Sequence, residues 1–369
     1  MNLERLVQLA ARHGASDLHV AAGRPPLLRV RGELRTMGAG AAIGAADTEA
    51  MARALLPKDE WPRFQARGSA DLALDVAGVR CRVNLLHSGG AVGLAVRLLP
   101  AGSVSLESLN LHPELAALVE PEHGLVLVSG PTGCGKSSTL AALVQQVNRS
   151  RAAHIVTLEQ PIEFDLQPVR SFIRQREVGR DTPTFEQGLL DALREDIDVL
   201  MVGEMRERDA MRLTLDACET GHLVLATLHS STVIEALQRL VSAFPAQEQP
   251  SVCAQLADNL IAVVSQRLVW RDAPGLRAPE CEILVANTAV QSILRQGQFF
   301  KLNTAMETGG RSRMWTLPRY RQWMDARTDW VLPGAAARRP LAVESDEIIE
   351  IRPDDASLSD IVSELEKDR

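Results

Sequence analysis

The chain has 369 residues, of which 46% are hydrophobic, enough for about two domains with buried cores. Its formal charge of −7 sits at one end: residues 344–369 hold ten acidic and three basic side chains, which leaves 37 of each sign in the other 343 residues. A neutral body lacks the concentrated basic face of a nucleic-acid binder, so no nucleic-acid partner is expected. No apolar run approaches the roughly 18 residues that span a bilayer, and Met-Asn-Leu-Glu-Arg does not open like a secretory signal. Five scattered cysteines without a Cys-x-x-Cys pair argue for a reducing, cytoplasmic setting and against structural zinc.

In chain order, Leu3, Leu6, Val7 and Ala10 recur at helical spacing and Gly14 closes that helix. Strand patterns follow at 17–20, 27–31, 71–76, 80–86 and 92–99, interrupted by a helix around 48–56. Leu72, Leu74 and Val76 alternate with polar or small residues, the pattern of a half-buried antiparallel sheet. This predicts a small α+β domain over residues 1–100, followed by a linker at 101–113.

From 114 to about 332, strand and helix patterns alternate. The strands at 125–129, 154–159, 197–203 and 222–229 are apolar nearly throughout. The helices fall at 136–147, 185–194, 208–217 and 233–243, and 249–270 reads as one long amphipathic helix. Such strands indicate a parallel sheet covered on both faces, an α/β domain. Residues 333–369 read as an acidic, flexible tail in which a short helix at 357–365 could form on a partner.

Between the first of these strands and its helix lies Gly130-Pro131-Thr132-Gly133-Cys134-Gly135-Lys136-Ser137-Ser138. Strand, glycine loop and helix together make a phosphate-binding P-loop. Its backbone N–H groups and the helix N-terminus face phosphate, Lys136 reaches the terminal phosphates, and Ser137 offers a hydroxyl to Mg²⁺. Cys134 reads as a small filler of the loop or an oxidation-sensitive thiol.

Hydrolysis needs a carboxylate to orient or deprotonate water and groups that sense the terminal phosphate. Strand ends offer them: Glu204 after one strand, Glu159 and Glu163 around Gln160-Pro161-Ile162 after another, and His229 after a third that His222 precedes. Singly, each has a plain alternative. A Glu after a strand more often caps a helix, and a His among aliphatics is more often a satisfied core group. Their joint occurrence favours a hydrolytic site.

These segments, with Thr-Leu-Glu-Gln-Pro-Ile-Glu-Phe (157–164), Gln-Arg-Glu-Val-Gly (175–179), Ala-Leu-Arg-Glu-Asp (192–196), Val-Gly-Glu-Met-Arg (202–206) and Glu-Thr-Gly-His-Leu-Val-Leu-Ala-Thr-Leu-His (219–229), resemble the secretion ATPases. Within that superfamily the likeness is to the PilT-like pilus-retraction ATPases of twitching motility. It extends over about residues 1–320, since Ala-Ser-Asp-Leu-His (15–19) and Arg-Val-Asn (82–84) also match.

The resemblance implies a PAS-like N-terminal α+β domain joined to a RecA-like P-loop ATPase domain, assembled as a homohexamer. It implies an ATP hydrolase using ATP and Mg²⁺, in which Lys136 and Ser137 hold phosphates and metal and Glu163 is the catalytic base. Glu204 is then the Walker-B acid, His222 and His229 couple the terminal phosphate to domain motion, and Arg82 and Arg97 are arginines that could reach the nucleotide. Glu159 joins Ser137 and Glu204 as a possible Mg²⁺ ligand. The implied partners are an inner-membrane platform protein, through which the ring would be peripheral to the membrane, and a paralogous motor ATPase.

The chain departs from that family at Gln160, where an Asp is usual, at Gln291 and Gln296 in the helix at 289–296, where Arg and Glu are usual, and in the cluster Trp315, Tyr320, Trp323 and Trp330. These leave three readings open: pilus retraction, a motor for a secretion or conjugation apparatus, and a nucleotide-binding regulatory subunit.

Overall fold

The computed structural model describes residues 2–30, 32–37, 42–99 and 104–332. The expected tail at 333–369, with its helix at 357–365, lies outside the described residues, as do positions 101–103 of the expected linker.

The first sheet is antiparallel and six-stranded: β1 (Asp17–Val20), β2 (Leu27–Val30), β3 (Glu33–Thr36), β4 (Ser69–Val76), β5 (Val79–Ser88) and β6 (Ala91–Leu98), in the spatial order β3-β2-β1-β6-β5-β4. Helix α1 (Leu3–Arg12) lays Leu3, Leu6, Val7 and Ala10 on it, and its first turn is capped by the Asn2 side chain accepting from the Glu4 N–H. Helices α2 (Ala45–Leu55) and α3 (Trp61–Arg67) add Met51, Ala52 and Phe64 to the same core. The period of two along β5 buries Cys81, Val83 and Leu85, which turns Arg80 and Arg82 to the opposite face.

The second sheet has seven strands: β7 (Gly124–Ser129), β8 (His154–Glu159), β9 (Phe172–Glu177), β10 (Val199–Val202), β11 (Leu223–Leu228), β12 (Leu260–Arg271) and β13 (Leu276–Val285). Their order is β13-β12-β7-β11-β10-β8-β9, parallel throughout except for the β12–β13 hairpin at one edge. All six residues of β7 are buried. Leu125 and Leu127 enter one core, while Val126 and Val128 enter the other across the sheet. A strand needs apolar residues at every position only when both its faces are covered.

Helices α4 (Lys136–Ser150), α5 (Phe185–Ala192), α6 (Arg208–Glu219), α7 (Val233–Ser242), α8 (Gln249–Asn259), α9 (Thr288–Arg295), α10 (Leu302–Thr308) and α11 (Leu317–Asp325) surround this sheet. The architecture is α/β, with the expected N-terminal domain beside a RecA-like ATPase domain.

Three elements differ from expectation. The helix expected over 249–270 is α8 followed without interruption by β12. The run Leu260-Ile261-Ala262-Val263-Val264 contains apolar residues at helical spacing, but it is rich in β-branched side chains and lies between β7 and β13, where a strand is required. Strand β9 was not anticipated, because Phe-Ile-Arg-Gln-Arg-Glu is mostly polar, as an edge strand with one neighbour can be. Residues 104–113, read as linker from their Ser and Pro content, bury Val104, Leu106 and Leu111 in the ATPase core.

A clasp explains that burial. The Asn110 side chain donates to the Val331 carbonyl and accepts from its N–H, both at 2.9 Å. Arg327 donates to the Asn110 carbonyl, and Trp315 and Trp323 lie 4.3 and 4.4 Å from the His112 ring. The hydroxyl of Tyr320, fully buried, accepts from the His112 N–H at 3.0 Å. A buried N–H that loses its acceptor costs about 1–3 kcal/mol. Tyr320→Phe is therefore expected to lower unfolding free energy by about 1–2 kcal/mol, read as a shifted midpoint in denaturant titration.

Candidate active site

The loop from Gly130 to Gly135 links β7 to α4. Its shape requires glycine at two close approaches: Gly130 has φ +147°, and a Cβ there would stand 2.2 Å from the Gln266 carbonyl oxygen and 2.6 Å from the Cys134 sulfur. Gly135, with φ +91°, precedes α4, whose first-turn N–H groups receive no side-chain cap. Uncapped N–H groups at the start of a fifteen-residue helix are suited to an anion. Pro131, Thr132, Gly133 and Ser137 are exposed on the loop, Ser138 is half-buried, and Cys134 and Lys136 are buried. Burial pushes the Cys134 thiol above its ordinary range, which fits a filler and not a reactive thiolate.

Lys136 donates from Nζ to the Gly130 carbonyl at 2.8 Å and the Pro131 carbonyl at 3.2 Å, and lies 3.3 Å from His229 Nδ1. Burial lowers its pKa from the ordinary lysine value. His229 Nε2 is 2.7 Å from Glu204 Oε1. An ammonium can only donate, so Nδ1 accepts from Lys136 and Nε2–H donates to Glu204, which fixes a neutral tautomer. Glu204 also accepts from Arg206 at 2.5 Å. Burial raises the Glu204 pKa, but the Arg206 hydrogen bond and the nearby His229 outweigh it and hold the carboxylate below its usual range.

Four strand ends thus meet: β7 brings Lys136, β8 brings Glu163, β10 brings Glu204 and β11 brings His229. Gly203 permits that convergence, because a Cβ there would lie 3.0 Å from the Leu158 carbonyl oxygen and 3.3 Å from Glu159 Cα. A side chain at this position would be a tight fit against β8. The N-terminal domain closes over the same end: Arg82 Nη1 is 3.5 Å from Glu163 Oε1, and Arg80 donates to the Ile162 carbonyl at 3.2 Å.

Three expected site residues lie elsewhere. His222 precedes β11, and its neighbour Leu223 is level with Gly124 at the start of β7. Parallel strands place their beginnings at the edge of the sheet opposite the P-loop. There His222 Nδ1 lies 2.9 Å from the Ala217 carbonyl and 3.0 Å from Thr220 Oγ1, closing the turn after α6. Arg97 sits opposite Arg82 in register, but its Nε donates to Asp17 at 3.0 Å, so it does not join Glu163. Glu159, expected as a Mg²⁺ ligand, is turned inward with Oε1 accepting from Thr157 at 2.7 Å and Gln175 at 3.0 Å, and it accepts from the backbone N–H of Glu163 as well. It shapes the turn that carries Glu163.

Among the described residues no three His, Cys, Asp or Glu side chains are arranged to hold a metal by themselves. Mg²⁺ ordinarily takes one or two protein oxygens, with water and phosphate supplying the rest. The exposed Ser137 hydroxyl and the Glu204 carboxylate fit that limited role. Sequence reading missed Gln266, which underlies the P-loop, Arg239, which donates to the His229 carbonyl at 2.6 Å, and Arg80. The available signal for Gln266 was a short polar interruption, Ser265-Gln266-Arg267, in a largely apolar run.

Comparison with known proteins defines the class. A family model described as type II/IV secretion system protein matches residues 2–309. The chain is 41% identical over 310 residues to the uncharacterized protein YggR of Escherichia coli K12, covering 84% of this chain and 94% of that one. It is 36% identical over 318 residues to the type IV pilus retraction ATPase PilT of Pseudomonas aeruginosa, covering 86% and 92%. The crystal structure of the pilus retraction motor PilT with bound ADP aligns with a TM-score of 0.78 at 33% identity, over 87% of this chain and 96% of that chain. The fold and site are those of a nucleotide-binding, ATP-hydrolysing P-loop enzyme. The chain belongs to the type II/IV secretion system protein family and is PilT-like. Among the described residues no helix is long and apolar enough to cross a membrane.

Burial raises the Glu159 pKa to about 7, partly offset by its hydrogen bonds from Thr157 and Gln175. The folded protein therefore holds a proton that the unfolded chain releases, and stability falls as pH rises from the ordinary carboxylate value through about 7. Glu159→Gln keeps the acceptor and removes the charge. Its thermal midpoint should equal the wild type's near pH 5 and exceed it at pH 8, by about 2–3 kcal/mol of unfolding free energy. Melting curves across that range without nucleotide check this.

Proposed function

We propose that the protein is a hexameric motor that hydrolyses ATP with Mg²⁺ and couples turnover to pilus retraction, extracting pilin subunits during twitching motility. The observation that carries the reading is the single cluster of Lys136, His229, Glu204 and Glu163 at the strand ends, with Arg82 of the N-terminal domain on Glu163. Its likeness to PilT supplies the biological role.

In this reading the P-loop N–H groups and Lys136 bind the phosphates. Ser137, with Glu204 close by, would hold Mg²⁺, which would offset phosphate charge. Lys136 leaves the Gly130 and Pro131 carbonyls to do so. Glu163 then takes the proton of the attacking water, and moving Arg82 off its Oε1 leaves both carboxylate oxygens open to that water. Base release is in this way tied to movement of the N-terminal domain, and Arg82 freed from Glu163 can turn to the phosphates and offset developing charge. The ring would work in the cytoplasm, docked on an inner-membrane platform protein, with a paralogous motor ATPase as a further partner.

A second reading, a PilT-like motor of a secretion or conjugation apparatus, is favoured by one difference from the retraction ATPases. In α9, Gln291 and the C-capping Gln296 stand where the retraction ATPases carry charge.

Deleting the gene and scoring surface pili and twitching separates the two. Retraction predicts excess surface pili with lost twitching. Unchanged piliation and motility would contradict it and support the second reading.

A further inference from the structure

We propose that Gln266 of β12 is a positioning residue for the phosphate loop, holding one of its peptide N–H groups toward the nucleotide; the inference rests on the P-loop being the nucleotide site. Gln266 is 3% exposed, and both ends of its amide are engaged. Nε2 donates to the Cys134 carbonyl at 2.7 Å, and Oε1 accepts from the Thr139 hydroxyl at 2.7 Å. The orientation is forced, since the Cys134 carbonyl can only accept and so requires the NH₂ end.

The same residue forms the floor of the loop. Its backbone carbonyl occupies the space that a Gly130 side chain would need, and its Nε2 lies 3.4 Å from the Cβ position of Gly135. One residue of β12 therefore bears on the loop at Gly130, Cys134 and Gly135, and on the first turns of α4 at Thr139.

The chemical consequence follows from the planar trans peptide. The C=O of Cys134 and the N–H of Gly135 belong to one peptide unit and point in opposite directions. With the carbonyl drawn down onto Gln266, the Gly135 N–H is directed away from β12, at the uncapped start of α4, where a phosphate oxygen would accept from it. Gly135 is in the left-handed region, where a glycine adopts alternative backbone conformations at little cost, so the peptide can turn if the Cys134 carbonyl loses its donor. Without Gln266 the loop can present a carbonyl oxygen to an anion in place of an N–H.

The role predicts a loss confined to phosphate binding. In the full-length protein, Gln266→Leu, which keeps side-chain bulk and removes both hydrogen bonds, should raise the dissociation constant of ADP about tenfold, the size of one hydrogen bond to a charged group. The KM for ATP should rise in parallel, with more of the loss in KM than in kcat. Thr139→Val, which removes only the hydroxyl that steadies the Gln266 amide, should raise the ADP dissociation constant about threefold, and it carries the test if the Leu variant does not fold. Calorimetric titration with ADP reads both. A folded Gln266→Leu protein, or a folded Thr139→Val protein, that binds ADP within 1.5-fold of wild type, roughly the error of such a titration, overturns the inference. Failure of the wild-type protein itself to bind ADP would instead overturn the reading of the P-loop as its nucleotide site.

Discussion

Close approach of backbone at the ends of the central strands is the constraint on which the site depends. Gly130 stands against β12 with no room for a methyl group, and Gly203 stands against β8 where a methyl group would be a tight fit. The P-loop and the ends of β10 and β11 thereby come within hydrogen-bond range of one another, with Glu163 of the turn after β8 near enough to Lys136 to act on its charge. Lys136 then reaches His229, and His229 reaches Glu204. In this chain of donors and acceptors Lys136 donates to two loop carbonyls, Gly130 and Pro131. Both are neutral acceptors, and an ammonium bonds more strongly to a charged oxygen such as phosphate offers.

Two devices connect this chemistry to the rest of the molecule. On one side Arg80 and Arg82, placed on a common face by the alternation of β5, hold the Ile162–Glu163 segment. On the other, the clasp of α11 and Val331 on Asn110 and His112 fixes the chain immediately after positions 100–103 to the ATPase core. Asn110 has φ +58° and is buried, a conformation that asparagine tolerates better than most residues because its side chain satisfies nearby backbone groups.

Much of this was legible from sequence, for identifiable reasons. The P-loop is a local motif in which strand, glycines and helix follow one another, so spacing alone located Lys136 and Ser137. Glu163, Glu204 and His229 were legible because parallel strands deliver their C-terminal ends to one edge. His222 fails by the same logic, since it begins its strand. Arg97 was separated from Arg82 by a partner, Asp17, eighty residues away in sequence, which no local pattern reveals. Glu159 looked like a ligand because it shares a strand end with Glu163 four residues on, but its side chain turns inward to Thr157 and Gln175. Gln266 was hidden by period: its segment has apolar residues at both helical and strand spacing, and only the sheet that surrounds it decides between them.

The central claim is that Glu163 is the base of this site. Steady-state phosphate release by purified Glu163→Gln, measured beside ATP binding, tests it most directly. Loss of a positioned general base costs about 10²–10⁴ in rate. Turnover should fall at least about a hundredfold with ATP affinity within a few-fold of wild type. Turnover within about threefold of wild type, far inside the range expected for a lost base, would contradict it.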